Sequence, residues 1–372
     1  MSGKFRIAVT YGTRPELIKL FPVVRALAAH PDEVETIAVC TGQHRGLLAE
    51  LHADLKFRPA IDLDVMKEGQ SLAGLTAAIL QELEPVLQRL TPDMLLVQGD
   101  TSSVLSAALA AFYQRIPVAH LEAGVRTHHR ASPYPEEMNR VLAAQLADWH
   151  YAPTERARGN LLAEGIAAGR IVVTGNTAID ALLHVLDDGE YLLPEALAPI
   201  MAWAGETILI TAHRRESWGA SIMNIARAAA DLLRDRPQLQ IIWPVHPNPV
   251  VAAPVRSILG CVDRARLLPP LSYHAFARCM QKAALILSDS GGVQEEAPSV
   301  RKRVLVLRDV TDRPEAVEAG WAEVVGTESG SIVARASALM QEGGSLPPAN
   351  PYGDGKAAER AVGHLLSLAA AR

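Results

Sequence analysis

The chain has 372 residues, of which 49% are hydrophobic and only 5% aromatic, and its formal net charge is −5. That length is about twice an ordinary domain, so two compact units with a cleft between them are expected, and an aromatic-poor composition suits helices packed on buried sheets. The charge offers no general field for nucleic acid or an anionic membrane, and Cys40, Cys261 and Cys279 have neither CxxC pairing nor zinc spacing.

Taken in chain order, short aliphatic runs at residues 5–9, 36–40, 94–97, 118–121, 149–152 and 171–174 read as strands buried on both faces. Residues 16–29, 72–90 and 102–113 between them carry helical periodicity, which predicts successive βα units and a parallel sheet. Residues 187–206 contain two prolines and no strand signal, so the boundary between units is expected within residues 176–206. A second strand series then starts, with TILIT from Thr207, IIWPV from Ile241, ALILS from Ala284 and VLVL from Val304. The expected division is residues 1–180, residues 181–353 and a C-terminal helix within 354–372. The opening MSGKFRIAVT has too short an apolar run for a signal peptide, and no later stretch offers about 18 uninterrupted apolar residues, so a cytoplasmic protein is expected.

Open parallel sheets bind ligands at the carboxyl ends of their strands, and here those ends are polar. The first runs into Thr10-Tyr11-Gly12-Thr13-Arg14-Pro15-Glu16. Gly12 permits a tight turn and Pro15 suits the first helical position, so the helix N-terminus, Arg14 and Lys19 form a candidate phosphate site. Neither GxGxxG nor GxxxxGK[ST] is present, and there is no GxSxG elbow. Two later strands end in Gln98-Gly99-Asp100-Thr101 and His120-Leu121-Glu122, while Glu136-Glu137 follows Ser132-Pro133-Tyr134-Pro135 at a helix start. Singly, Asp100 could cap a helix and Glu136 could favour a helix dipole. Carboxylates converging from several strand ends are costly unless paired or used, and this points to chemistry.

In the second series, His213 and His246 follow strands but lack a second His at i+4 or a CxxC, so a phosphate or uracil contact fits better than a metal. Ser290-Gly291-Gly292 stands at a strand-to-helix turn where backbone N–H groups can approach a phosphate. Glu296 lies about one turn further on, placed for a sugar hydroxyl, and Arg313 adds a cation.

The ordered motifs GTRPELIKL, TGQHR, VQGDTSSV, HLEAGVRT, PYPEEMNR, VTGN, HRRES, VHPNPVV, SDSGGVQEEAP and DRPEAVEAG resemble those of the non-hydrolysing UDP-N-acetylglucosamine 2-epimerases. The resemblance runs from about Ile7 to Gly326 and implies an α/β protein of two Rossmann-like domains in the B-type glycosyltransferase fold. It further implies an active site in the interdomain cleft, a C-terminal helix packed back on the first domain, a homodimer, and no metal or cofactor. The implied reaction is reversible C2 epimerisation of a UDP-N-acetylhexosamine, UDP-GlcNAc to UDP-ManNAc, by elimination of UDP to a 2-acetamidoglucal and re-addition. Asp100, Glu122 and Glu136 match the family's acid/base carboxylates, and Arg14, Lys19 and His213 its phosphate and catalytic contacts. Ser290, Gly291, Gly292, Glu296 and Arg313 match its UDP site. Gln43, His44, Gln70 and His246 match residues of an allosteric UDP-GlcNAc site, but Gly46 and Gly69 stand where longer polar side chains often occur. His128-His129 replaces a small or acidic pair after the EAGxRT motif. Relatives acting on UDP-2,3-diacetamido uronic acids, hydrolysing epimerases and glycosyltransferases of the same fold are the alternatives. Bases on opposite faces of C2 need different protonation states, so one carboxyl with a raised pKa is expected.

Overall fold

Strand β1 (Phe5–Tyr11) is buried at every position except the half-buried Arg6, the pattern of a central strand covered by helices on both faces. The structure is a computed structural model that describes residues 3–67, 69–214, 218–342 and 345–372. Arg215, Glu216 and Ser217 of the HRRES segment lie outside the described residues. The chain divides into two α/β units, one of Met1–Ala181 with Tyr352–Arg372, the other of Leu182–Pro351.

In the first unit, β1 is joined by β2 (Val34–Cys40), β3 (Ile61–Asp62), β4 (Met94–Gln98), β5 (Val118–Leu121), β6 (Trp149–Ala152) and β7 (Ile171–Val173). Their order is β3-β2-β1-β4-β5-β6-β7, with every pairing parallel. The second unit holds β8 (Glu206–Thr211), β9 (Leu239–Pro244), β10 (Ala265–Leu268), β11 (Leu285–Ser288), β12 (Arg303–Val306) and β13 (Ala322–Val324). Its order, β10-β9-β8-β11-β12-β13, repeats the plan, again all parallel. Chain direction across the sheet reverses between β1 and β4 and between β8 and β11. These are the switch points at which open α/β sheets leave a crevice.

Three strands carried no sequence signal: β3, β10 and β13. Each is a sheet edge, and partial exposure leaves it without a continuous apolar run. The helix Ala357–Ala370 belongs to the first unit and lies against the helix Arg14–Ala28. Ala357, Ala358, Ala361, Val362 and Leu365 form its buried stripe at helical spacing. Asp180 accepts from the N–H groups of Ala357 (3.2 Å) and Ala358 (2.9 Å) at its start, and Tyr151 Oη bonds His364 Nδ1 at 3.0 Å. Burying Val362 and Leu365 contributes roughly 1.5–3 kcal/mol each. Among the described residues, no helix is long and apolar enough to cross a membrane.

Candidate active site

In the first unit the candidate side chains follow β1, β4 and β5, the strands at and beside the switch point. After β4, Gly99 turns the chain at φ +84°, and Thr101 caps the helix Ser102–Tyr113 by accepting from Ser103 N (3.1 Å) and Val104 N (3.3 Å). The capping is thus done by Thr101, which leaves the Asp100 carboxylate for other partners. Arg140 grips Asp100 Oδ2 through Nε (2.8 Å) and Nη2 (2.7 Å), and Asn139 Nδ2 donates to the Asp100 carbonyl at 2.8 Å. Arg140 Nη1 also reaches Glu137 Oε2 at 3.3 Å.

Glu137 accepts from Thr127 N (3.0 Å) and His128 N (2.8 Å). Burial opposes its ionisation, but these N–H groups and the Arg140 charge outweigh that and hold its carboxyl below the usual range. Glu137 therefore pins the loop at Thr127 and His128, while Glu136 begins the helix Glu136–Leu146, half-buried and one turn before Arg140. His128 and His129 are exposed.

Glu122 follows β5 with φ +61°, a left-handed conformation costly for a residue with a Cβ. Its Oε2 accepts from Lys19 Nζ and from Gln98 Nε2, both at 2.5 Å. Lys19 and Glu122 are each about one-tenth exposed, so this is a nearly buried ion pair tying the first helix to β5. Between β4 and β5, His120 is buried and bonds the Gly99 carbonyl through Nε2 at 2.7 Å. Burial lowers its pKa to about 4, which keeps the ring neutral and fixes Nε2 as the donor.

Two N–H groups of the turn before the helix Arg14–Ala28 are used within the chain, because Glu16 folds back and its Oε2 accepts from Gly12 N (2.5 Å) and Thr13 N (3.1 Å). Its other oxygen accepts from the Thr101 hydroxyl, so Glu16 bridges the turns after β1 and β4. Desolvation pushes the Glu16 carboxyl up to about 7 against those three hydrogen bonds, with the nearby Asp100 charge adding to the rise. Arg14 and Lys19 remain the cations of this segment, Arg14 half-buried at the first helical position.

The second unit is built the same way around β8 and β11. Thr211 pairs with Ser288, so His213 and Asp289 emerge side by side. Asp289 is fully buried, and its Oδ2 accepts from His213 N and Arg214 N, each at 2.8 Å. The His213 ring stacks on the exposed His246 ring, with centroids 6.0 Å apart and planes 8° apart. Ser290 precedes the short helix Gly291–Glu296, and the Arg313 guanidinium lies over Gly291, 3.5 Å from where a Cβ would stand. Arg313 is held by Glu295 (2.5 Å) and Asp312 (2.9 Å), and Tyr273 Oη donates to Glu296 at 2.9 Å. Glu295 and Asp312 fix Arg313 beside the Ser-Gly-Gly turn, and Tyr273 fixes Glu296.

Of the four residues matched to an allosteric site, three lie in the first unit. Gln43 accepts from Ser103 Oγ at 2.8 Å, His44 precedes the helix Arg45–Asp54, and Gln70 accepts from Lys67 N at 3.2 Å. His246 is in the second unit, beside His213, and its Nδ1 accepts from Asn248 N at 3.2 Å. Sequence reasoning missed Arg140, Gln98, Glu16 and Asp289 as site-building residues. The NR that closes PYPEEMNR, one helical turn beyond the glutamates, was the available signal for Arg140.

Two carboxylates on adjacent strands, each held by its own cation, can exchange protons with a ligand, while the second unit offers a glycine turn beside an oriented guanidinium. Comparison with known proteins gives this chemistry a context. The sequence pattern of the family described as UDP-N-acetylglucosamine 2-epimerase matches residues 25–366. The UDP-N-acetylglucosamine 2-epimerase of Escherichia coli (strain K12) is 46% identical over 364 residues, covering 95% of this chain and 96% of that protein. The crystal structure of the Neisseria meningitidis UDP-GlcNAc 2-epimerase bound to UDP-GlcNAc is 41% identical with a TM-score of 0.88, covering 97% of this chain and 100% of that one. The Methanocaldococcus jannaschii enzyme in complex with UDP-GlcNAc and UDP is 33% identical with a TM-score of 0.82, covering 97% and 99%.

Proposed function

The chain belongs to the UDP-N-acetylglucosamine 2-epimerase family, and on that premise we propose that it interconverts UDP-GlcNAc and UDP-ManNAc by inverting C2, with the first unit moving the proton and the second holding UDP. The observation that carries this reading is the pair of restrained carboxylates, Glu122 on Lys19 and Asp100 on Arg140, ending neighbouring strands. A C2–H distant from any carbonyl is weakly acidic, so departure of UDP from C1 must supply much of the driving force. In the elimination a carboxylate takes the C2 proton as the C1–O bond breaks, giving a 2-acetamidoglucal and UDP. Re-addition of UDP with protonation on the other face completes the inversion.

Asp100, Glu122 and Glu136 are the candidate acid/base groups. Lys19 and Arg140 keep two of them oriented until substrate arrives. Arg14, His213 and the turn at Ser290, Gly291 and Gly292 are the proposed contacts of the diphosphate, whose growing charge they would stabilise. Glu296, oriented by Tyr273, and Arg313 complete the nucleotide site. The proposed working form is a cytoplasmic homodimer, as the family resemblance implies. Incubation with UDP-GlcNAc followed by NMR tests the reading: UDP-ManNAc should accumulate to a fixed ratio from either substrate. Free N-acetylmannosamine with free UDP would replace it by a hydrolysing reaction.

A further inference from the structure

In the second unit a fully buried carboxylate sits directly beneath the histidine assigned to the diphosphate, and neither composition nor motif gave it a purpose. Asp289 is the first residue after β11, and its own N–H donates to the Thr211 carbonyl at the end of β8 (3.2 Å). One carboxylate oxygen, Oδ2, takes both backbone donors, His213 N and Arg214 N. The other, Oδ1, faces Nδ1 of the His213 ring at 3.6 Å, within range for charge interaction. A buried carboxylate is tolerated only when its charge is matched, and here the match is the histidine-bearing turn itself.

We propose that Asp289 is a positioning residue for the reaction, one that fixes the backbone, the ring orientation and the proton-bearing nitrogen of His213. This rests on the reading of His213 as a substrate contact. A carboxylate opposite Nδ1 favours the proton on that nitrogen, so the neutral ring presents a bare Nε2 and the imidazolium presents an Nε2–H donor. The His246 ring stacked against it has its Nδ1 occupied as an acceptor from Asn248 N, so its proton belongs on Nε2. Desolvation, with the His246 and Arg214 charges beside it, holds the His213 ring below the usual histidine range and so neutral at rest, and Asp289 is the one group that pulls the other way. With Asp289 behind it, His213 can take up or hold a proton as the diphosphate oxygen gains charge.

Asp289→Asn separates this from a purely structural function. The Asn carbonyl oxygen can replace Oδ2 and keep both backbone bonds, while its NH2 group faces Nδ1, demands an acceptor there and drives the proton to Nε2. By the tautomer logic of acid–histidine pairs, kcat should fall about 10²–10⁴-fold with little change in KM or in thermal stability. The nitrogen-15 signals of His213 should show Nδ1–H in the wild-type neutral ring and Nε2–H in the variant, with a lower titration midpoint in the variant. Adding Asp289→Asn to His213→Gln should cost nothing further. Wild-type kcat in Asp289→Asn, a fully additive loss in the double variant, or Nε2–H in the wild-type protein itself would each overturn the proposal. The last measurement stands even if the variant does not fold. Full turnover by His213→Gln would instead remove the substrate-contact reading, and the tautomer signals would still decide what Asp289 does to the ring.

Discussion

Replacing Glu16 by Gln isolates one buried carboxyl whose protonation is linked to folding. The side chain is 2% exposed, accepts from Gly12 N, Thr13 N and the Thr101 hydroxyl, and has its pKa raised from 4.5 to about 7 chiefly by desolvation. Because the folded chain holds this proton more tightly than the unfolded one, stability falls as pH rises between the two values. The contribution of the neutral carboxyl is complete below about pH 4.5 and is lost as pH passes through about 7. The gap from 4.5 to about 7, at ~1.4 kcal/mol per pH unit, corresponds to roughly 3 kcal/mol. Gln keeps a carbonyl oxygen for the two backbone donors, so at low pH the substitution costs on the order of 1 kcal/mol. Denaturant unfolding of wild type and Glu16→Gln at a series of pH values from 4.5 to 8 subtracts every group the two share. The variant should gain about 3 kcal/mol on the wild type across that range. A difference that does not change with pH would refute the burial argument.

Arg140→Met leaves Asp100 and Glu137 without their guanidinium; breaking so buried a pair should cost about 3–5 kcal/mol by thermal or denaturant unfolding and strongly lower turnover. A variant with unchanged stability would show that the cluster is not held by charge. In Gly12→Ala the new methyl would collide with the Thr41 and Ser103 hydroxyls, which bond each other at 2.9 Å, so a loss of about 1–3 kcal/mol is expected by the same measurement, and none would mean that the turn has room. Gly46 and Gly69 are exposed and offer no polar side chain to an activator. With UDP-ManNAc as sole substrate the progress curve should therefore start without a lag; a lag abolished by a trace of UDP-GlcNAc would contradict this.

The legible parts of the sequence were those where one physical cause dominates. Central strands such as β1 and β4 are apolar because helices cover both faces, whereas β3, β10 and β13 lie at edges whose mixed exposure erases that pattern. The strand-end carboxylates Asp100 and Glu122 could be read from their positions, and Lys19 from its place on the first helix. Their partnership could not, because Lys19 and Glu122 are 103 residues apart and meet only once β1 and β5 are placed in one sheet. The part played by Glu16 was hidden for a related reason: only the folded turn shows its carboxyl accepting from Gly12 N and Thr13 N. Asp289 was hidden inside a motif whose glycines drew the interpretation, although its position at the end of β11 beside β8 makes it the counterpart of the Glu16 bridge between β1 and β4.

The central claim is that C2 of the sugar loses and regains its proton on the first-unit carboxylates. Run in D2O with UDP-GlcNAc, the reaction should place deuterium at C2 of the UDP-ManNAc formed and, as equilibrium is approached, of the recovered UDP-GlcNAc. Epimerised product that keeps its original hydrogen at C2 in D2O would contradict the account.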